Sequence, residues 1–485
     1  MTTSLTAESM AQPPPRIIQG GMGVAISSWQ LARAVSAAGH LGVVSGTALD
    51  VVYARRLQDG DEGGHVRRAL GAFPVPAIAQ RVLDTYFLAA GRPEGSPYCA
   101  VPMFTLQPPV ALQELTVVAN FCEVYLAKEG HHGVVGINYL RKVELPIPFA
   151  CLGAMLAGVD YVIVGAGNPS ELPELLRRLA RRDGVALSVR TQGTTSADGT
   201  FAVRCSPRAL LGGGASLRKP QMLAIVASTD LAAGLAADPV TRPDGFVIEG
   251  HTAGGHNAPP RGPRRTTPTG EPIYDDRDVV DLEAVRELGL PFWLAGSQGS
   301  PQGLASALAV GAAGVQVGTA FAFCAESGLA DKLKRQVLGD LVSGGVSVHT
   351  DWRLSPTGFP FKVLDLAGTL ADGDVAARPH VCDLGALRSP YRQADGTIGY
   401  RCPAEPTKMY VAKGGRAANT DGRECLCNAL LAAADLPQRR PHGYDEPAVV
   451  TSGDDFSAVT ALLRSRPDAT PYPASAVIDY LCAAP

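Results

Sequence analysis

Short apolar runs recur along the first two thirds of the chain, most of them followed by a stretch of helical period. Ile17-Ile18-Gln19 runs into a Gly20-Gly21 turn, then into a helical pattern over 29–38, then into the apolar run 41–45. Further runs lie at 134–138, 161–164, 222–227, 245–249, 292–295 and 314–317, which makes eight predicted strands, with helical patterns such as 173–182, 279–288 and 303–310 between them. Strands that alternate with helices pair in parallel, and eight such units in about 325 residues predict an α/β fold of the (β/α)8, or TIM barrel, type. A doubly wound sheet competes, but Gly20-Gly21-Met22-Gly23 does not fit G-x-G-x-x-G and no acidic residue closes a second strand where a ribose needs it.

Three insertions interrupt the repeat. Residues 50–130 read as mostly helical; 185–220 opens with a hairpin turning at 196–199; and 252–278, rich in Pro, Arg and Gly, reads as a loop. The barrel is therefore expected over 15–343. The remaining residues, 344–485, read as an irregular C-terminal extension that packs on the barrel rather than completing it.

Composition narrows the function classes. Of 485 residues 46% are hydrophobic and 18% charged, enough apolar material for a packed core and too much for wholesale disorder. The 54 Gly and 38 Pro show no collagen period, so they serve turns and close backbone approaches. Net charge is −3 without a basic block or acidic tail, which argues against nucleic acid and anionic membrane as partners. Residues 288–325 carry no charge at all, but Gly296, Gln298, Pro301, Gln302, Gly311 and Gln316 divide them into strand, loop, helix and strand lengths, so a membrane span is not expected. The N-terminus, MTTSLTAESMAQPPPR, lacks a basic start and an apolar core; no secretory signal is read there, and a cytoplasmic location is expected.

In such a barrel the chemistry sits where strands end. Strand one is followed by Gly20, Gly21 and Met22; strand three ends at Asn138; strand six delivers Glu249-Gly250-His251-Thr252-Ala253-Gly254-Gly255-His256; strands seven and eight end in Gly296-Ser297 and Gly318-Thr319. Glycine plus hydroxyl after strands seven and eight suits a phosphate bound through backbone N–H groups, and for either loop alone an ordinary capped turn is the simpler reading. His256 follows two glycines that let its loop fold tightly, and a near-neutral imidazole suits proton transfer. His251 is its competitor, and Glu249 reads either as a ring-nitrogen hydrogen-bonder or as a buried structural acid.

These motifs, with Gly314-Val315-Gln316-Val317-Gly318-Thr319-Ala320-Phe321 and Ser355-Pro356-Thr357-Gly358-Phe359-Pro360, resemble the FMN-dependent nitronate monooxygenase (2-nitropropane dioxygenase-like) and enoyl reductase superfamily over about residues 15 to 362. The resemblance implies a TIM barrel with non-covalent FMN. It places Gly20, Gly21 and Met22 along the isoalloxazine, Asn138 and Gly255 against the ring, and Gly296, Ser297, Gly318 and Thr319 at the phosphate, with Glu249 and Gln316 among the cofactor-binding residues and His256 as the acid/base. This chain has Glu249-Gly250 where nitronate monooxygenases commonly have Gln-Gly, which leaves the substrate open.

The activity expected from the resemblance is oxidation of a nitronate or nitroalkane with O2, with His256 as acid/base; the alternative is reduction of an enoyl thioester, CoA- or acyl-carrier-protein-bound, with NAD(P)H in fatty acid or polyketide biosynthesis. A non-catalytic flavin-binding partner is the alternative from another class, and a homodimer is one assembly it allows. Arg141-Lys142 reads as a rim pair or as a charge near reduced flavin; Arg261, Arg264 and Arg265 read as a solvated loop or as a CoA-phosphate site. Of ten cysteines, six, including Cys151 and Cys324, read as small core residues, while Cys382, Cys402, Cys425 and Cys427 lie within 46 residues and suit a structural Zn or an iron–sulfur cluster, with buried free thiols the alternative.

Overall fold

The computed structural model describes residues 13–376, 378–441, 443–466 and 471–484. Most of the N-terminal stretch read for a signal lies outside them. All eight expected strands are present: β1 (Ile17–Gln19), β2 (Leu41–Ser45), β3 (Val135–Leu140), β4 (Tyr161–Gly165), β5 (Gln221–Val226), β6 (Gly245–Glu249), β7 (Phe292–Ala295) and β8 (Gly314–Val317). They pair in parallel in chain order, and β8 returns to β1 with Val315 opposite Ile17, closing the barrel.

The continuous apolar runs are explained by burial on both faces. Ile18, Val43, Val247 and Trp293 point inward and pack together in the barrel. Their neighbours Ile17, Val44, Phe246 and Phe292 point outward into the larger core under the helices. The Trp293 indole N–H donates to Pro15 O at 2.6 Å, tying the entering chain to β7.

The uncharged stretch 288–325 folds into β7, the helix Pro301–Ala309 and β8, as its breaks suggested. Residues 50–130 are mostly helical: Leu49–Gln58, His65–Gly71, Pro76–Tyr86 and Val110–Lys128. The last is long and apolar enough to cross a membrane, but most of it is buried within the chain. It packs against Trp29–Ala37, Leu49–Gln58 and Ile147–Leu156. Its Glu123 is fully buried and accepts from Trp29 N–H and Tyr53 O–H, both at 2.7 Å, and from Arg56 at 3.2 Å. A buried carboxylate satisfied three ways costs little, whereas removing its partners strands a charge. Val185–Ser188 pairs antiparallel with Ala202–Cys205, the expected hairpin.

The extension is more regular than its composition suggested. It holds the hairpins Val348–Asp351/Phe361–Leu364 and Ser389–Arg392/Ile398–Arg401, and the helices Leu426–Ala433, Ser457–Ser465 and Ala474–Leu481. It also does more than pack on the outside. Helix Ala474–Leu481 touches both Trp29–Ala37 and Pro301–Ala309, so it fills the gap in the outer ring between the helix after β7 and the helix after β1. Tyr472, fully buried, donates its O–H to Ala320 O at 2.7 Å, and Ala325 N–H donates to Tyr472 O at 2.8 Å, fastening this helix to the segment that leaves β8.

Tyr472→Phe removes only that buried hydroxyl and leaves a carbonyl without its donor; a loss of about 1–2 kcal/mol of unfolding free energy is expected in urea titration, with the midpoint lowered and the slope unchanged.

Candidate functional site

A cavity of about 270 Å³ opens at the C-terminal mouth of the barrel. Its floor is built by the strand ends, and it is walled by Val101 and Phe104 of the insertion and by Leu387, Leu426 and Leu430 of the extension. It collects nearly all the residues singled out in the sequence: Gly20, Gly21, Met22, Asn138, Glu249, Gly255, His256, Gly296, Ser297, Gln316, Gly318 and Thr319 all line it.

The turn after β1 is held from below. Gln19 is fully buried; its amide accepts from Val43 N–H at 3.0 Å and donates to Ser27 Oγ at 2.8 Å. Ser27 in turn accepts from Met22 N–H at 2.9 Å and donates to Gly20 O at 2.8 Å. Asn138 lies inside β3 rather than at its end, because the strand runs on to Leu140, and its Nδ2 donates to Gly21 O at 3.4 Å. A Cβ on Gly21 would stand 2.2 Å from Asn138 Cβ, so glycine is what lets this turn lie against the strand.

Past β7 and β8 the backbone is prepared for an anion. Among the described residues the N–H groups of Ser297, Gln298, Gly299 and Thr319 donate to no protein group, although all four residues line the cavity. Ser297 is exposed and the other three are half-buried, so these N–H groups are open to a bound group, and successive free backbone N–H groups suit an anion as a cradle. Thr319 Oγ1 accepts from Gly453 N–H at 3.0 Å, which joins the extension to this cradle and leaves the hydroxyl proton free to donate. The residues present therefore fit a phosphate group such as that of FMN.

The loop after β6 is clamped by the extension. Lys362 N–H donates to Gly255 O at 2.9 Å, Asn257 N–H to Pro360 O at 3.0 Å, and Gly255 N–H to Thr451 Oγ1 at 2.8 Å. Gly255 has φ +77, a conformation strained for any other residue. The loop thereby presents the partly buried His256 ring edge-on to Phe361, with centroids 4.8 Å apart, and Nε2 is 2.6 Å from the buried Ser355 Oγ.

The electrostatics around His256 involve a residue read as a rim charge. Lys142 lies over the Phe359 ring with Nζ 3.3 Å from its centroid, and burial pushes its ammonium down to about 7. Burial pushes Glu249 up to about 7, opposed by Lys142. His256 is held well below the ordinary imidazole value, first by burial and then by the Lys142 charge, so its ring is neutral at neutral pH. Asp50, which nothing in the sequence marked, also lines the cavity, with its carboxyl pushed up to about 6 by burial.

Other expectations are redirected. His251 stacks on Tyr274 at 4.3 Å and lines a separate, more open cavity. Arg141 is taken up by Glu144, Glu171 and Ser188 O. Arg261 binds the carbonyls of Arg277 and Ala227, Arg264 covers Trp352, and Arg265 pairs with Asp275, so all three already hold protein partners instead of standing open to a CoA phosphate. Cys122, Cys151, Cys205 and Cys324 are buried as core residues, but Cys99 and Cys482 are exposed. Of the two readings of Cys382, Cys402, Cys425 and Cys427, a metal centre or buried free thiols, the metal finds no support: among the described residues no three His, Cys, Asp or Glu side chains are placed to hold a metal ion. Cys402 and Cys425 are buried and Cys382 and Cys427 half-buried, all four as free thiols that lie close enough to shift one another's titration.

Residues 218–344, which run from β5 through the cradle, match the family model described as nitronate monooxygenase, in agreement with the resemblance drawn from the motifs. Over 235 residues, 46% of this chain, the sequence is 28% identical to the (3aS,4S,5R,7aS)-5-hydroxy-7a-methyl-1-oxo-octahydro-1H-indene-4-carboxyl-CoA dehydrogenase of Mycobacterium tuberculosis (strain ATCC 25618 / H37Rv). The match spans 58% of that relative's length. By name, both are oxidoreductases. Among solved structures, FabK from Thermotoga maritima is similar at 16% identity, covering 97% of this chain and 92% of that one with a TM-score of 0.45. Nitroalkane oxidase from Streptomyces ansochromogenes is similar at 15% identity, covering 97% and 95%, with a TM-score of 0.44.

Lys142→Met is expected to raise the titration of His256 toward the ordinary imidazole value, because the ammonium opposes a second cation, and to raise Glu249 further, because the same ammonium favours its carboxylate. Ring-proton NMR of His256 across the acid range checks the first shift, and carboxyl-stretch infrared difference spectra check the second.

Proposed function

We propose that the chain is an FMN-dependent oxidoreductase acting on an acyl thioester, with His256 as the acid/base. FMN supplies hydride transfer when bound, and the unpaired N–H groups of Ser297, Gln298, Gly299 and Thr319 are the residues that would hold its phosphate. The observation that carries the thioester reading is the apolar wall of the cavity. Val101 and Phe104 from one insertion and Leu384, Leu387, Leu426 and Leu430 from the extension line it. A small nitronate has no use for so much apolar surface, whereas an acyl chain buries against it. The curated relative named above is a carboxyl-CoA dehydrogenase, which supports the same substrate class.

The neutral His256 can donate or accept a proton at the carbon next to the thioester carbonyl. Lys142, beside it and near 7 in pKa, favours negative charge developing on the substrate oxygen. Nitronate oxidation is the second reading, favoured by the family match over 218–344. It uses the same His256 to take the acidic proton of a nitroalkane and the same cation to hold the resulting anion.

Purified protein titrated with FMN is expected to bind about one flavin per chain and to shift its visible spectrum; no binding would remove the reading. NAD(P)H oxidation driven by CoA- and carrier-protein-bound enoyl thioesters is expected, while oxygen consumption with an alkyl nitronate and none with the thioesters would establish the second reading instead. Leu430→Trp, which fills part of the apolar wall, is expected to lower kcat/KM for long-chain enoyl thioesters about tenfold and leave the shortest unaffected, as read from initial rates along a chain-length series.

A further inference from the structure

His256 is joined to a second hydrogen-bonded structure that comes from the extension, 99 residues later in the chain. Ser355-Pro356-Thr357-Gly358 forms a tight turn closed by Gly358 N–H donating to Ser355 O at 3.1 Å, with Pro at the second position and a Gly of φ +75 at the fourth. The turn is gripped from outside: Arg423 donates to the carbonyls of Trp352, Arg353 and Ser355, and Glu424 N–H donates to Leu354 O at 2.9 Å. Ser355 is fully buried, while Thr357 keeps some solvent contact.

The contacts accommodate one continuous chain of donors toward the ring. Thr357 Oγ1 accepts from Phe359 N–H at 3.4 Å and lies 2.8 Å from Ser355 Oγ, so its O–H can donate to Ser355. Ser355 Oγ also accepts from Thr357 N–H at 3.3 Å, and with both lone pairs so used its own O–H is directed to His256 Nε2, 2.6 Å away. With Nε2 so engaged, a neutral ring carries its proton on Nδ1, which among the described residues meets no protein acceptor although His256 lines the cavity. The charged groups around the ring are Lys142 and Glu249. Both are drawn toward neutrality by burial, and an imidazolium at this place is disfavoured.

We propose that Thr357, Ser355 and His256 form a proton relay from solvent to the cavity, in which the imidazole passes a proton without becoming charged. As Nδ1–H gives its proton to the substrate carbanion, Nε2 takes the Ser355 proton, Ser355 Oγ takes the Thr357 proton, and Thr357 takes one from water. The Ser355 and Thr357 oxygens each break one bond to hydrogen and form one, the neutral ring exchanges its Nδ1–H for an Nε2–H, and the sum is one proton moved from water to substrate with hydroxide left in the solvent. The reverse sequence carries a proton outward. This rests on His256 being the acid/base of the proposed reaction; Ser355 and Thr357 act through it.

The holoenzyme turning over an enoyl thioester with NAD(P)H provides the test, with variants Ser355→Ala, Ser355→Thr, Thr357→Val and His256→Ala. Ser355→Ala is expected to lose about 10²-fold in kcat with KM within about twofold, and Ser355→Thr to recover most of that loss. Thr357→Val, isosteric and near the surface, is expected to lose about tenfold and to turn a curved proton inventory in mixed H2O/D2O into a straight line. In the protein without flavin, 15N NMR of labelled histidine is expected to show His256 protonated on Nδ1 in the wild type and as a tautomer mixture in Ser355→Ala. Wild-type rates in both Ser355→Ala and Thr357→Val beside an inactive His256→Ala would overturn the relay alone. An active His256→Ala would overturn the acid/base reading beneath it.

Discussion

The geometry of the site depends on a backbone clamp between the loop that leaves β6 and the C-terminal extension. Gly255 donates to Thr451 and accepts from Lys362, and Asn257 donates to Pro360, so the loop behaves locally as an added strand. The approach is close: a Cβ on Gly254 would stand 2.7 Å from the Ser452 carbonyl carbon. Such contact fixes the His256 ring between Phe361 and Ser355, both of which the extension supplies. The same segment reaches the turn after β8 through Gly453 and Thr319, and it completes the helical ring through Ala474–Leu481. The position of the His256 ring thus depends on contacts from both the barrel loop and the extension.

A second consequence of that cover is dryness. Burying Lys142, Glu249 and His256 together draws all three toward neutrality. Groups poised near neutrality exchange protons readily and strengthen their mutual influence in a low-dielectric surrounding. Apolar side chains of the insertion and the extension, Val101, Phe104, Leu387 and Leu430 among them, line the same cavity.

The barrel was largely legible in the sequence, because strands buried on both faces leave continuous apolar runs, and a turn such as Gly20-Gly21 against Asn138 has room only for glycine. The cavity residues were legible for the same reason: a barrel brings all its strand ends to one mouth. What escaped depended on distant contacts. Lys142 carries no mark that it will be buried over Phe359, some 200 residues away by order of magnitude, and Ser355 meets His256 only because the extension folds back. The four late cysteines suggested a metal by proximity along the chain, and they do come near one another, but among the described residues no three His, Cys, Asp or Glu side chains are placed to hold an ion. The closing helix was obscured because the extension's Pro- and Arg-rich composition hides the short apolar periods of Ser457–Ser465 and Ala474–Leu481.

The most direct measurement of the central claim is a crystal structure of the protein with FMN added. The expected result is the flavin phosphate within hydrogen-bond distance of the Ser297 and Thr319 N–H groups, the ring against Gly20 to Met22, and His256 facing the ring's open side with Nε2 still on Ser355. A flavin bound outside this mouth, or a His256 loop that leaves the extension when flavin binds, would contradict it.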